Sequence, residues 1–422
     1  MQVLSVSKSP PLAGEAYIHG AKNGALPILA ACVLCRTPCT IRNCPDIRDV
    51  AHTLSILRAL GCTCVREGGT VTVTPCTCPA CHIPQALAGS MRASILFLGA
   101  LLARGQEASI ALPGGCPIGK RPVDLHIGVL RALGAEVRAE DHQIVCRAGT
   151  LRGCRIELPI VSVGATEHAI LAAVCARGCT EIRNAAREPE VADLARFLSA
   201  CGADIKGAGT SVVRITGVPS LRGAEHTVLP DRIEAATYLC ACAACGGQIV
   251  LRGTEGCSLE PVLHVLAACG CRVEQGRNSI TCARTGPLIA PADVTTAPYP
   301  GFPTDAQAVV MAALLRARGA CRFTETVFEH RFLHVPELCR LGAQISVHGR
   351  TACITGVPAL HGAELHARDL RGGAALVLAA LSAEGNSTVS GMNHIERGYD
   401  SFVPTLQALG AELKMVEKPD LL

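Results

Sequence analysis

LRALGAEV at residues 130–137 and LQALGAEL at 406–413 are nearly one phrase, written far apart in the chain. The same phrase stands as LRALGCTCV at 57–65, FLSACGADI at 197–205, LAACGCRV at 266–273 and LCRLGAQI at 338–345. Its glycines, Gly61, Gly134, Gly202, Gly270, Gly342 and Gly410, are separated by 73, 68, 68, 72 and 68 residues. That period is longer than in the usual solenoid repeats. In each copy an amphipathic helix ends at a glycine C-cap, and a strand with alternating apolar positions follows. The six copies therefore predict six small α/β units.

A second element lies between the phrases, an Ala/Leu-rich helix that ends at another glycine and leads into a strand. MRASILFLGALLARGQEASIAL (91–112), GATEHAILAAVCARGCTEIRNA (164–185), DAQAVVMAALLRARGACRFTE (305–325) and LRGGAALVLAALSAEGNSTVSG (370–391) are examples. These helices are apolar nearly all round, which places them inside a domain with sheets packed around them. Six units in two groups of three predict two similar domains, and the chain switches between them near LPDRIEA, 229–235.

A chain of 422 residues suits two domains. At 49% apolar and 18% charged it is globular by composition. A net charge of +4 without any block of basic residues is too small to suggest a nucleic-acid binder, so no nucleic-acid partner is expected and any basic site is local. ALPILAACVLC at 25–35 falls far short of the roughly 20 apolar residues that cross a bilayer, so no membrane span is expected. The start, MQVLSVSKSP, lacks a secretory pattern, which predicts a cytoplasmic protein with reduced thiols. Many of its 25 cysteines stand where alanine or valine would serve, as in YLCACAACGG at 238–247, and are read as small core hydrophobes. Cys76, Cys78, Cys81 and His82 in CTCPACH are zinc-ligand types. No second ligand pair stands at finger-like spacing, so this stretch is read as a surface loop.

Cations mark the first turns of the apolar helices: Lys22, beside Asn23, in HGAKNGALPILAA, Arg92 in SMRASILFL, Arg232 in LPDRIEAATYL and Arg371 in RDLRGGAALVL. A cation at a helix N-terminus is disfavoured by roughly 0.3–1 kcal/mol, so something offsets it. One reading is pairing with local carboxylates such as Asp231 and Asp369. The other is that several helix N-termini converge on one cleft and, joined by Arg121, Arg331 and Arg397, receive a multiply anionic ligand. Asp305, in FPTDAQA, opens its own apolar helix with Thr304 as the expected N-cap. Among cations it is expected to be ionised and able to take a proton from a substrate hydroxyl.

LPGGCPIGKRPVDLH at 112–126 carries one thiol in a glycine-rich loop. Gly114, Gly115 and Gly119 are read as allowing φ values closed to other residues, and Pro117 as stiffening a mobile lid. Lys120 and Arg121 favour the thiolate of Cys116, which makes it a proton donor, a nucleophile or an inconsequential loop cysteine.

Together with GAKNGALPILAA, MRASILFLGALLA, VSVGATE, NAAREPEV, VLPDRIEA, TETVFEHRFLHVPEL, DLRGGAALVLA and IERGY, in order from residue 20 to 399, these stretches resemble the UDP-N-acetylglucosamine enolpyruvyl transferase family. The resemblance implies two inside-out α/β barrel domains, each of three βαβαββ repeats. Residues 22–229 would form the first, carrying the Cys116 loop, and residues 1–21 with 230–422 the second. It implies transfer of the enolpyruvyl group of phosphoenolpyruvate to a sugar 3'-hydroxyl, in the opening step of peptidoglycan precursor synthesis, with inhibition by fosfomycin. Cys116 resembles the general acid and Asp305 the presumed base, while Asp369 lies near the reacting centre. Lys22, Arg121, Arg331, Arg371 and Arg397 match cations around phosphate and carboxylate, with Asn23 on substrate. Arg92, Arg121, Pro122, Val123, Asp124, Leu125, Ser162, Val163, Gly164 and Val327 would hold the UDP-sugar. No metal or organic cofactor is implied. Many relatives carry a lysine just before VSVGAT where this chain has Ile160, which puts one UDP contact in doubt.

Three other readings compete. The shikimate-pathway enolpyruvyl transferase has a lysine followed by serine at the first helix start and no GGC loop. A non-catalytic nucleotide-sugar binder would not need Cys116, Asp305, Arg371 and Arg397 together. A zinc or redox protein rests on CTCPACH alone.

Overall fold

The computed structural model describes residues 2–105, 107–114, 123–140 and 143–417. They divide into two compact units, residues 20–229 in one and residues 2–19 with 230–417 in the other. The strand Leu12–Tyr17 pairs with Gly247–Arg252 of the second unit, so that unit is built from both ends of the sequence.

One repeat illustrates all six. Strand Arg155–Glu157 is followed by helix Val163–Ala173, which crosses over to the parallel strand Cys179–Arg183. Helix Pro189–Ala200 follows, then the antiparallel strands Asp204–Lys206 and Val212–Thr216. The result is a four-stranded sheet in the order first, second, fourth, third. Six separate four-stranded sheets share this layout, three in each unit; four keep the chain order, and in the other two a strand from the far end of the unit, Glu225–Thr227 or Gln2–Ser7, fills the place of the first or the fourth strand. In two units of three βαβαββ repeats, each with its apolar helices enclosed by sheets, the fold is a pair of inside-out α/β barrels.

The recurrent phrase does what its glycine predicts. All six phrase glycines have φ between 89° and 106°, the region costly for any side chain. In each the amide after the glycine donates back five residues and the glycine amide three, as Cys62 N to Leu57 O and Gly61 N to Arg58 O. That pair of bonds is the Schellman closure, which satisfies helix-end carbonyls before the chain turns into a strand.

The inner helices are Lys22–Ala31, Leu96–Arg104 and Val163–Ala173 in one unit, and Arg232–Cys245, Thr304–Ala313 and Leu370–Leu381 in the other. All twelve residues of Leu370–Leu381 are buried, and so are all but the last of Arg232–Cys245. Core cysteines pack among them, with Cys32, Cys39, Cys240 and Cys242 fully buried. Burial pushes the Cys146 thiol up to about 12, which leaves it protonated and inert. No disulfide forms among the described cysteines. No helix of the described residues is long and apolar enough to cross a membrane.

Candidate functional site

In the unit that holds residues 230–417, three inner helices present their N-termini through side chains of opposite charge. Asp305 stands in the first turn of Thr304–Ala313. Its Oδ1 lies 2.6 Å from Arg331 Nη2 and its Oδ2 3.4 Å from Arg371 Nη2. Both arginine side chains are almost fully buried, at 5% and 3% exposure, whereas the carboxylate keeps 28%. Arg331 also donates to Thr304 O, so it grips the same helix end twice. Two donors of Arg371, Nε and Nη1, are buried without an acceptor among the described residues. Such unmet donors are costly at a buried cation, and an anionic ligand would satisfy them.

Asp369 and Asp231 both cap the starts of inner helices. Asp369 Oδ1 accepts from the backbone N–H of Arg371 at 3.1 Å and of Gly372 at 2.9 Å, capping helix Leu370–Leu381. Asp231 caps Arg232–Cys245 in the same way through Ile233 and Glu234. Each acid therefore offsets the helix dipole at the point where the following arginine opposes it. Thr304 is not the N-cap of its helix. Pro303 holds that position, and the Thr304 hydroxyl instead donates to Glu325 Oε2 at 2.8 Å. Glu325 is buried and also accepts from the backbone N–H of Val327 at 2.7 Å, which orients the half-exposed Val327. Arg397 is half-buried in the turn that leads to Tyr399.

His334, which the sequence did not single out, is buried next to this group. Neither ring nitrogen has a hydrogen-bond partner among the described residues. Burial pushes its pKa down to about 4, Arg331 adds to the depression and Asp369 opposes it. The ring is thus neutral at pH 7 and adds no further positive charge.

In the unit of residues 20–229, Lys22 opens its helix and its Nζ lies 2.7 Å from Asp49 Oδ2, both side chains largely buried. Asp49 comes from the first turn of helix Arg48–Ala59, so here the cation does have a carboxylate, though not a local one. Asn23 beside it is exposed. Arg92 is half-buried in a short 3-10 turn, Arg92–Ile95, that precedes helix Leu96–Arg104.

Val123 precedes helix Asp124–Ala132, which opens with Asp124 and Leu125. Ser162 caps helix Val163–Ala173, its Oγ accepting from Ala165 N at 3.3 Å, so that Val163 and Gly164 form the first turn. A helix N-terminus of this kind offers N–H groups to an anion. The two helices are linked by His126 and His168, whose Nδ1 atoms lie 3.2 Å apart. Ile160 is 62% exposed and brings no charge to the helix entrance.

Cys116, Arg121 and Pro122 lie outside the described residues, as do Gly115, Pro117, Gly119 and Lys120. Gly114 is described, and its glycine is not explained by a positive φ. A Cβ there would stand 1.9 Å from Gly89 O, so close backbone approach is what demands glycine. At CTCPACH, Cys76 Sγ donates to Leu60 O and His82 Nδ1 bonds Ser109 Oγ. No group of three or more metal-ligand side chains is assembled among the described residues.

A protein-family model described as EPSP synthase (3-phosphoshikimate 1-carboxyvinyltransferase) matches residues 6–406. The chain belongs to the enolpyruvyl transferase family. Among its relatives, the UDP-N-acetylglucosamine 1-carboxyvinyltransferase of Nitratidesulfovibrio vulgaris strain DP4 is 46% identical over 414 residues, 98% of this chain and 99% of that protein. UDP-N-acetylglucosamine 1-carboxyvinyltransferase 1 of Carboxydothermus hydrogenoformans is 45% identical over 416 residues, 99% of each chain. Among solved structures, the enolpyruvyl transferase NikO of Streptomyces tendae superposes with a TM-score of 0.90 at 29% identity, covering 99% of both chains. The EPSP synthase of Acinetobacter baumannii gives a TM-score of 0.77 at 19% identity, covering 99% of this chain and 100% of that one, a likeness of fold.

Proposed function

We infer that this enzyme transfers the enolpyruvyl group of phosphoenolpyruvate to the 3'-hydroxyl of UDP-N-acetylglucosamine and releases phosphate. Full-length identity near 46% to enzymes of that name supports the reading. In the structure it rests chiefly on one observation: the Asp305 carboxylate is held by two buried arginines, one of which keeps two donors unmet.

The sugar oxygen bonds to C2 of phosphoenolpyruvate while its proton passes to Asp305, an intrinsically weak base that acts through position. Cys116 delivers a proton to C3, giving a tetrahedral intermediate. Loss of a proton from C3 and cleavage of the C2–O bond then expel phosphate and leave the enol ether. Lys22, Arg121, Arg331, Arg371 and Arg397 hold the phosphate and carboxylate, and fixed cations do this best when water is excluded. Asp369 keeps the Arg371 helix start in place near the reacting centre. Asn23, Arg92, Arg121, Pro122, Val123, Asp124, Leu125, the Ser162–Gly164 turn, Asp305 and Val327 take the UDP-sugar.

These steps balance without a metal or organic cofactor. The product is the first committed precursor of peptidoglycan, which ties the enzyme to cell-wall growth, cell shape and division and places it in the cytoplasm with its substrates. The alternative acceptor, shikimate 3-phosphate, is the substrate class of the family model's name, but the likeness to a solved EPSP synthase is only 19% in sequence. Mass spectrometry of the product tests the reading. UDP-N-acetylglucosamine should gain one enolpyruvyl group in exchange for a hydroxyl hydrogen, and an unchanged sugar nucleotide after incubation with phosphoenolpyruvate would refute it.

A further inference from the structure

Arg371 does not lie on an aliphatic floor. Its guanidinium carbon sits 5.0 Å from the centroid of the Tyr399 ring, and both residues are 3% exposed. The ring is clamped from two sides. Tyr399 Oη lies 2.8 Å from Thr237 Oγ1, and Thr237 already donates its own proton to Ile233 O at 2.7 Å. A hydroxyl has one proton to give, so Tyr399 must be the donor of the shared bond. Burial also raises the Tyr399 pKa, which keeps the phenol protonated for that role. Phe402 packs against the ring at a tilt, with centroids 5.0 Å apart, and in turn stacks on Tyr238. The ring therefore has neither rotational freedom nor a spare proton. What it offers Arg371 is its negative π-face and a phenolic oxygen that can still accept a hydrogen bond from the guanidinium.

Asp305 holds only Nη2 of this guanidinium, at 3.4 Å, and Nε and Nη1 have no acceptor among the described residues. A flat cation lying over an aromatic face keeps its donors in one plane, directed away from the ring edge. We propose that Tyr399 is a positioning residue for the enolpyruvyl donor: its ring face fixes the plane of Arg371 so that the two unmet donors, on different edges of the guanidinium, are held for the anionic groups of phosphoenolpyruvate, and Thr237 and Phe402 hold the ring. This rests on the functional reading above and extends it to residues that need not touch substrate.

The test is a ring series that leaves volume nearly constant: the parent, Tyr399→Phe and Tyr399→trifluorophenylalanine, with Tyr399→Leu as the deletion of the face. Steady-state KM for each substrate and kcat are read from phosphate release. Tyr399→Phe removes only the phenolic oxygen and keeps the face, so the KM for phosphoenolpyruvate should stay within about two-fold if the face does the positioning. Fluorination drains the face of negative charge and should raise that KM several-fold, and Tyr399→Leu should raise it about ten-fold or more. The KM for the UDP-sugar should hold within about two-fold throughout.

A fluorinated ring that behaves like phenylalanine, or two KM values that rise together, would overturn the proposal in favour of a purely structural ring. An inactive parent would instead count against the functional reading. The Tyr399 proposal would then be judged on inorganic phosphate binding to the same series by calorimetry, where the order of affinities should be Phe, fluorinated ring, Leu. Equal affinities would overturn it.

Discussion

Replacing Asp305 by alanine removes a carboxylate that faces both Arg331, at 2.6 Å, and Arg371, at 3.4 Å. Both guanidiniums then remain buried with less charge to balance them. Removing one partner of a buried ion pair costs roughly 3–5 kcal/mol. The Asp305 side chain is 28% exposed, so water reaching the vacated space lowers this to about 2–3 kcal/mol. For a cooperative unit of about 200 residues that is a fall in melting temperature of roughly 4–12 °C. Inorganic phosphate should restore more stability to Asp305→Ala than to the parent, because a bound anion replaces the lost charge. In the same variant kcat should fall about 10²- to 10⁴-fold through loss of the proton acceptor. Differential scanning calorimetry with and without phosphate reads the first two effects. If the variant melts with the parent and gains nothing extra from phosphate, Asp305 does not organise the two arginines and the site argument fails.

Further expectations follow from the same geometry. Gly134 has φ +93° and nothing within 4 Å of an added Cβ. Gly134→Ala should therefore cost about 1–2 kcal/mol from backbone strain alone, seen as a lower urea midpoint with an unchanged slope. The pKa of His334 is near 4 when folded, against about 6.5 when unfolded, so protonation favours the unfolded chain. Its contribution is complete above pH 6.5 and lost as the pH falls to 4, about 3 kcal/mol in all, and His334→Gln should flatten that acid limb of the stability curve. Asp369→Ala removes two backbone acceptances at a helix start and should cost about 1–2 kcal/mol of stability, measured by urea titration. Fosfomycin should alkylate the parent at Cys116 and spare Cys116→Asp, read by intact mass; equal loss of activity in both would contradict the thiol assignment.

The repeat was legible because its signals are local. Each phrase glycine needs only its own positive φ and the helix before it, and six such signals at one spacing leave few architectures. The inner helices were legible for a related reason: sequences apolar on every side, such as Leu370–Leu381, can only be interior.

Local patterns could not assign partners. That Lys22 meets Asp49, or that Asp305 meets both Arg331 and Arg371, depends on packing between segments 26 to 66 residues apart. Spacing could not show that Asp231 and Asp369 accept from backbone N–H groups at their helix starts, since it cannot tell a capping carboxylate from one that pairs with a side chain. Thr304 looked like a cap until Glu325, from another strand end, claimed its hydroxyl. Gly114 resembled a flexible hinge residue, yet it is the nearness of Gly89 that excludes a side chain. Tyr399 stood in a matched motif beside Arg397, but nothing in IERGY says that its ring lies under Arg371.

The most direct measurement is phosphate release from purified protein given phosphoenolpyruvate with UDP-N-acetylglucosamine, each alone, and phosphoenolpyruvate with shikimate 3-phosphate. The account predicts one phosphate per sugar nucleotide consumed, only when both substrates are present, and none with shikimate 3-phosphate. Release with the shikimate compound, or no release with the sugar nucleotide, would contradict it.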